Sequence, residues 1–377
     1  MMGENVVLGW FALELTNSPF MVGLALGMRM LPLFFIGVPA GALADRFPRH
    51  RLLMVTGVGQ AVTAATLGAL VLSGQAGFGH VLLLTLLAGS LRGVEHAARQ
   101  SYTHDVVGAG ALVGGLAVLG VGMRLGWLLG SLGVGAVIAR LGSGAAYLTV
   151  ALGFLGGALA LIPATAPARS PAAAGGSLWR STVEFVLAVR RHRLLLVLMM
   201  LTAGAEILGF AHQALLPSLA RDVLGTGPEG LGGLMAARAV GGILGLAAAS
   251  SMRGASGSGA RFLAVLIVSG ASLILLGAAP HVVGFAGVLV VVTVVNAAGA
   301  LADLLAQSLL QLSVPHALRG RAGGAWVVAI GLAPVGQLQI GALASLFGVS
   351  LALGTSGLAL VLLAVATSLR FPRLERA

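Results

Sequence analysis

Only 9% of the chain is charged, so every ionisable residue inside an apolar run is a candidate for chemistry. Arg29, Arg124, Glu206, His212, Arg238 and Asp303 all stand in such runs. If the runs are bilayer helices, a central charge costs about 2.5–3.5 kcal/mol on insertion scales, so these residues must face a cavity or pair with one another. Glu206 and His212 are six residues apart, under two turns and roughly 120° out of line on an α-helix. A carboxylate so placed can bind and release a proton, which makes Glu206 the candidate coupling group. The alternative is a structural pair with an Arg of another run. Asp303 and Glu14 lie near run ends and read as boundary residues. For Arg29 and Arg238 the choice is between lining a cavity and snorkelling to an interface.

A second concentration of charge is the stretch GALADRFPRHR (41–51), where Asp45, Arg46, Arg49, His50 and Arg51 fall within seven residues. One reading is a solvated loop whose arginines fix orientation. The other is a latch: a carboxylate at a helix end pairs with a helix N-terminus or an Arg, worth up to ~2 kcal/mol when partly buried.

Other chemistry is excluded by residue type. The 22 Lys+Arg residues are all Arg. Without Lys there is no P-loop, and so no ATP-driven step on this chain, and no Schiff base. Without Cys there is no disulfide or thiolate metal site. The eight His show no metal-ligand spacing. No nucleophile, base and orienter cluster together. We therefore expect neither an enzyme nor a bound cofactor or metal.

The elements that position these residues follow from composition. The chain is 58% hydrophobic, against about half apolar and a quarter charged for a soluble domain. Lipid is the solvent that suits it. At about 20 apolar residues per span plus short loops, 377 residues accommodate roughly twelve. Apolar segments fall at 5–16, 19–44, 52–73, 79–97, 109–139 and 143–163, then at 194–217, 229–250, 261–279, 282–306, 322–342 and 346–369. The first is short for a span, which predicts a truncated first helix. Between the two sets lies PATAPARSPAAAGGS (163–177), a linker by composition, followed by an amphipathic stretch at 177–193 that reads as an interfacial helix. The predicted organisation is a bundle over 1–163, a cytoplasmic linker over 164–193 and a second bundle over 194–377.

The net charge of +11 suggests nucleic acid until the arginines are placed. If the 41–51 stretch is cytoplasmic, alternate connections hold Arg46, Arg49 and Arg51; Arg92 and Arg99; Arg169, Arg180, Arg190, Arg191 and Arg193; Arg253 and Arg261; Arg319 and Arg321; Arg370, Arg373 and Arg376. The opposite connections hold only Arg140 and Arg221. That asymmetry is the positive-inside pattern, with both termini cytoplasmic and no nucleic-acid partner. A shift of 209 residues also lays SPFMVGLALGMR on GPEGLGGLMAAR, putting Pro19 on Pro228, Gly23 on Gly232 and Arg29 on Arg238. The halves read as related six-span units.

GALADRFPRHR resembles the loop between spans 2 and 3 of the major facilitator superfamily, with Gly41, Asp45, Arg46 and Arg49 matching and Pro48 where a Gly is usual. AARQSYTHDVV (97–107), LLPSLARDVLGTGPEGLGGL (215–234) and LLQLSVPHALRGRAGG (309–324) resemble stretches of its efflux branch, which includes the enterobactin exporter and macrolide efflux proteins. The resemblance implies that Asp45 contacts the start of span 11, near Gly323, and Arg92 or Arg99, closing a cytoplasmic gate formed with Gly41, Arg46, Arg49 and Arg51. A bias of 1–3 kcal/mol there shifts a two-state equilibrium about 5–150-fold. In span 5, GMRLGWLLGSLGVG (122–135) fits the family's antiporter motif at Gly126, Gly130 and Gly135, but Ser131 replaces its Pro and Val134 a Gly.

The resemblance thus implies an all-α integral membrane protein of the major facilitator fold, with two pseudo-two-fold-related six-helix bundles in the cell (inner) membrane. Its expected activity is proton- or other ion-gradient-driven export of small amphipathic molecules, drug- or siderophore-like, by alternating access. The alternatives are an importer of the same fold and a truncated membrane protein that does not transport.

Overall fold

A computed structural model describes residues 2–164, 193–252, 257–312, 329 and 331–371; the side chains of 2, 33–34, 36–46, 100–101, 104, 109–113, 116–117, 193 and 251 lie outside this description. All regular structure among the described residues is helical. The first helix, α1 (Met2–Thr16), closes at Asn17, whose φ of 50° is the left-handed conformation that Asn tolerates. Pro19 then opens α2 (Pro19–Arg46), a position where its missing N–H costs nothing. Only Phe47 and Pro48 separate α2 from α3 (Arg49–Leu72). The expected 41–51 loop is therefore mostly helix: Gly41, Asp45 and Arg46 belong to the last turns of α2, and Arg49 and Arg51 open α3.

A helical run, Phe78–Leu159, follows, broken at Gly108 (φ 71°) and Gly142 (φ 81°). Positive φ is open to glycine and strained for other residues, so these two positions divide the run into α4 (78–107), α5 (109–141) and α6 (143–159). The seventh stretch, α7 (Leu194–Val223), is irregular: α-helical to Gly204, π-helical over Ala205–Gly209, 3-10 over Phe210–Leu215, and π-helical again over Leu219–Val223. Pro217 lacks the N–H that an unbroken helix would close on Gln213, which forces rearrangement ahead of it. Then come α8 (Gly227–Ser251), α9 (Ser258–Ala278), α10 (Gly284–Leu312), α11 (Ala333–Phe347) and α12 (Val349–Arg370).

The helices pack into two compact units, Met1–Asn17 with Ala25–Gly175, and Ser18–Leu24 with Gly176–Ala377. In the first unit, α4 meets α2 where Gly89 lies on the Arg29 carbonyl, and α3 meets α6 at Gly57 against Ala158 and Gly68 against the Gly144 carbonyl. In the second, Gly241 and Gly245 of α8 lie on the Thr293 and Ala297 carbonyls of α10, and Gly270 of α9 and Gly357 of α12 each lie on the other's carbonyl. Small residues that admit close backbone approach are how helices associate where lipid removes the hydrophobic drive. The core of the second unit joins Leu198, Leu201, Phe262, Leu266, Leu309 and Leu360.

Large apolar side chains also cover the outside: Leu129 is 67%, Leu152 68% and Leu346 75% exposed. Among the described residues, eight helices are long and apolar enough to cross a membrane, one of them, Val118–Leu159, being 42 residues long. At 1.5 Å per residue that stretch measures about 63 Å, enough for the two spans that Gly142 separates. The chain is a multi-pass membrane protein of all-α architecture.

Candidate functional site

In each unit a group of polar side chains lies around one arginine, of α2 in the first and of α8 in the second. In the first unit that residue is Arg29, 3% exposed. Its Nη2 donates to Glu4 Oε2 of α1 at 2.5 Å. On α4, Arg92, Glu95 and Arg99 follow on one side of the helix. Arg92 lies within electrostatic reach of Arg29, Glu4, Glu95 and Arg99. Glu95 accepts from Arg99 Nη1 at 2.8 Å and from Gln60 Nε2 of α3 at 3.0 Å. A small cleft adjoins Glu4, Thr63, Thr85 and Tyr147.

In the second unit, Arg238 of α8 donates from Nε to Asn296 Oδ1 of α10 at 3.0 Å. Asn296 Nδ2 reaches Val292 O at 2.9 Å and His212 Nε2 at 3.3 Å. His212 is 1% exposed, and its Nδ1 lies 2.7 Å from Gly209 O. A carbonyl only accepts, so Nδ1 carries the proton and Nε2 is left to accept from Asn296, which describes a neutral ring. The π-helical stretch sets this up: it turns the Gly209 carbonyl toward His212 and places Glu206 within electrostatic reach of Arg238 and of Asp303 on α10. Local π-helix inside an α-helix occurs frequently at functional sites. A second small cleft is lined by Gly209, Phe210, His212, Ser269 and Gly299.

The structure sorts the sequence candidates. Arg29 is buried and paired with Glu4. Arg92 and Arg99, expected in a connection, sit inside α4, which continues helically to residue 107 because no breaker intervenes before Gly108. Glu206 and His212 are not related by ideal α-helical geometry, since π and 3-10 turns lie between them. Arg124 has its guanidinium 6.0 Å from the centre of the Trp127 ring, a cation–π contact. Glu14 accepts from Trp10 Nε1 at 2.6 Å and from Ser143 Oγ at 2.5 Å, tying α1 to α6. In the span 5 motif, Gly130 and Val134 pack on Gly3 of α1, and Ser131 is fully buried, donating to the Leu128 carbonyl at 3.0 Å.

Of the gating stretch, Arg49 pairs with Asp105 of α4 at 2.5 Å, and Arg51 is exposed. The side chains of Gly41, Asp45 and Arg46, the linker over 165–192 and the residues around Gly323 lie outside the described part, so the contacts expected of Asp45 are not on view.

Sequence reasoning missed Glu4, Glu95, Gln60 and Asn296. Glu4 precedes the first apolar segment by one residue, and Asn296 and Gln60 carry no charge to flag them. A search for any amide side chain inside an apolar run would have found Gln60 and Asn296.

Residues 2–336 match the Major Facilitator Superfamily. Among solved structures, the fold is similar to a mutant of the nucleoside transporter NupG (TM-score 0.75, 13% identity, 98% of each chain covered). It is also similar to a mutant of the peptide transporter POT with alafosfalin (TM-score 0.77, 15% identity, 100% of this chain and 93% of that one). The inward open xylose transporter XylE from E. coli is a further likeness (TM-score 0.72, 14% identity, 97% and 92%). A search among curated protein sequences finds no match.

Proposed function

The chain belongs to the Major Facilitator Superfamily, and from that premise we propose that it is a proton-coupled secondary transporter exporting small amphipathic molecules, with Glu206 as the coupling carboxylate. The observation that carries the assignment is a process of occupation. The intramembrane carboxylates of the first unit are engaged: Glu4 by Arg29, Glu14 by Trp10 and Ser143, Glu95 by Arg99 and Gln60. Glu206 has no hydrogen bond among the described residues, is partly exposed, and shares its surroundings with Asp303 and Arg238. Two nearby carboxylates hold a proton between them more readily than two separate ones. Arg238 offers the deprotonated form a partner, and Asn296 holds that guanidinium in place. Proton release from Glu206 would then strengthen its attraction to Arg238, and proton uptake would relax it, giving the local two-state element that coupling requires.

Export is the direction that the efflux-branch resemblance and the partial antiporter motif support. The alternating-access gate would include the 41–51 stretch, where the Arg49–Asp105 pair already fixes the start of α3 to α4. The test uses everted membrane vesicles with an acidic lumen and a panel of fluorescent amphipathic dyes, antibiotics and siderophores. The wild type should accumulate a member of the panel, and a protonophore should abolish accumulation. Glu206→Gln should lose accumulation while retaining substrate exchange without a gradient. Gradient-driven accumulation by that variant would remove Glu206 from the mechanism, and exit rather than entry of substrate would make the protein an importer.

A further inference from the structure

The arginine cluster of the first unit has more donors than acceptors. Glu95 is used by Arg99 and Gln60, and Glu4 by Arg29 Nη2. Left over are Arg29 Nε and Nη1 and Arg92 Nη1, all buried and all without a hydrogen-bond partner among the described residues. Arg29 has a side chain only 2% exposed. Among the described residues, Arg29, Arg92 and Arg99 face Glu4 and Glu95, an excess of one positive charge. Among the described residues, His96, at the exposed side within reach of Arg92, Glu95 and Arg99, and Tyr147, within reach of Glu4 and Arg29, are further ionisable neighbours, and neither ring brings a carboxylate.

A buried guanidinium with nitrogens that lack an acceptor is costly even where another of its nitrogens is paired. Two in mutual electrostatic reach, with three nitrogens facing no acceptor, describe a place for an anion. The fork of N–H donors on each side chain matches a carboxylate or phosphate, which accepts two hydrogen bonds side by side. Arg92 is partly exposed although its Nη1 is buried, so it leads from the accessible side of the cluster to Arg29.

We propose that Arg29 and Arg92 bind the anionic group, a carboxylate or phosphate, of the transported molecule. The proposal rests on the transport reading above for what carries that anion. It makes the substrate an amphipathic anion: an acidic head meets the excess positive charge here, whereas a cationic amphiphile is repelled.

The test is equilibrium binding to the purified full-length protein in phosphatidylcholine nanodiscs, read by thermal stability and tryptophan fluorescence. The probes are benzoate, inorganic phosphate and, as a cationic control, tetraphenylphosphonium. Benzoate or phosphate should stabilise the wild type saturably and tetraphenylphosphonium should not. Arg92→Gln should weaken anion binding roughly tenfold or more, as expected for loss of a charge-assisted pair, with Arg92→Lys between the two. Arg29→Gln alone would strand the Glu4 carboxylate, so Arg29 is tested together with Glu4→Gln, and that double variant should also lose anion binding. Anion binding that survives in Arg92→Gln or in the double variant, stabilisation by tetraphenylphosphonium and by neither anion, or a response to phosphatidylglycerol alone would each overturn the proposal. No gradient is applied, so failure here leaves the Glu206 test standing, and failure of coupling leaves this binding result intact.

Discussion

Replacing Glu4 by Gln should destabilise the first unit more than any other single isosteric change in it. The carboxylate sits 2.5 Å from Arg29 Nη2, with side-chain exposures of 2% for the arginine and 9% for the glutamate, so solvent barely screens the pair. Gln preserves size and one acceptor but leaves Arg29 as a buried charge whose Nε and Nη1 also lack acceptors. Removing one partner of a buried pair costs about 3–5 kcal/mol. The retained acceptor argues for the low end, roughly 3 kcal/mol. At about 2–4 °C per kcal/mol for a unit of this size, the melting temperature should fall by roughly 6–12 °C. The assay is thermal unfolding in detergent of the wild type, Glu4→Gln, Arg29→Gln and the double variant. Replacing both charges should recover most of the loss, because the penalty is the stranded charge and not the missing attraction. A Glu4→Gln protein melting within about 2 °C of wild type, or a double variant as unstable as the sum of the singles, would refute this reasoning.

Asp45→Asn should lower efflux without lowering membrane insertion; unchanged efflux in everted vesicles would reject a gate role for the stretch. Gly241→Ala should cost about 1–3 kcal/mol, since a Cβ there presses on the Thr293 carbonyl, and a thermal melt identical to wild type would contradict the packing of α8 on α10. Asn296→Ala should impair transport and stability together, by about 1–3 kcal/mol, because both His212 Nε2 and Arg238 Nε lose their partner; Asn296→Asp, which offers Arg238 an acceptor but His212 no donor, should restore stability in part while altering the pH profile of transport.

Much of the fold could be read from where apolar runs stop. Gly108 and Gly142 end helices in the structure because only glycine takes their φ comfortably, and the segments at 109–139 and 143–163 stop and start at the same places. The Arg29–Arg238 correspondence was legible as two charges that lipid would reject at one repeat register, and each proved to be the centre of a buried polar cluster. What could not be read was whatever depends on partners. Glu4 lies at the edge of an apolar segment, and nothing in its neighbours announces Arg29, 25 residues on. Arg92 and Arg99 looked like connection residues because hydropathy falls after Gly93, yet helical structure continues without a breaker. The π-helical turn at Ala205–Gly209 has no sequence signal of its own; Pro217 announces irregularity, not its form.

The most direct test of the coupling claim is the proton flux itself. Wild-type protein and Glu206→Gln would be reconstituted in liposomes enclosing a pH-sensitive dye, with no imposed gradient, and a substrate identified in the vesicle screen added to one side. The wild type should move protons opposite to the substrate, and Glu206→Gln should move substrate with no change in lumenal pH. Equal proton movement by the two proteins, or substrate movement by the wild type with none, would contradict the account.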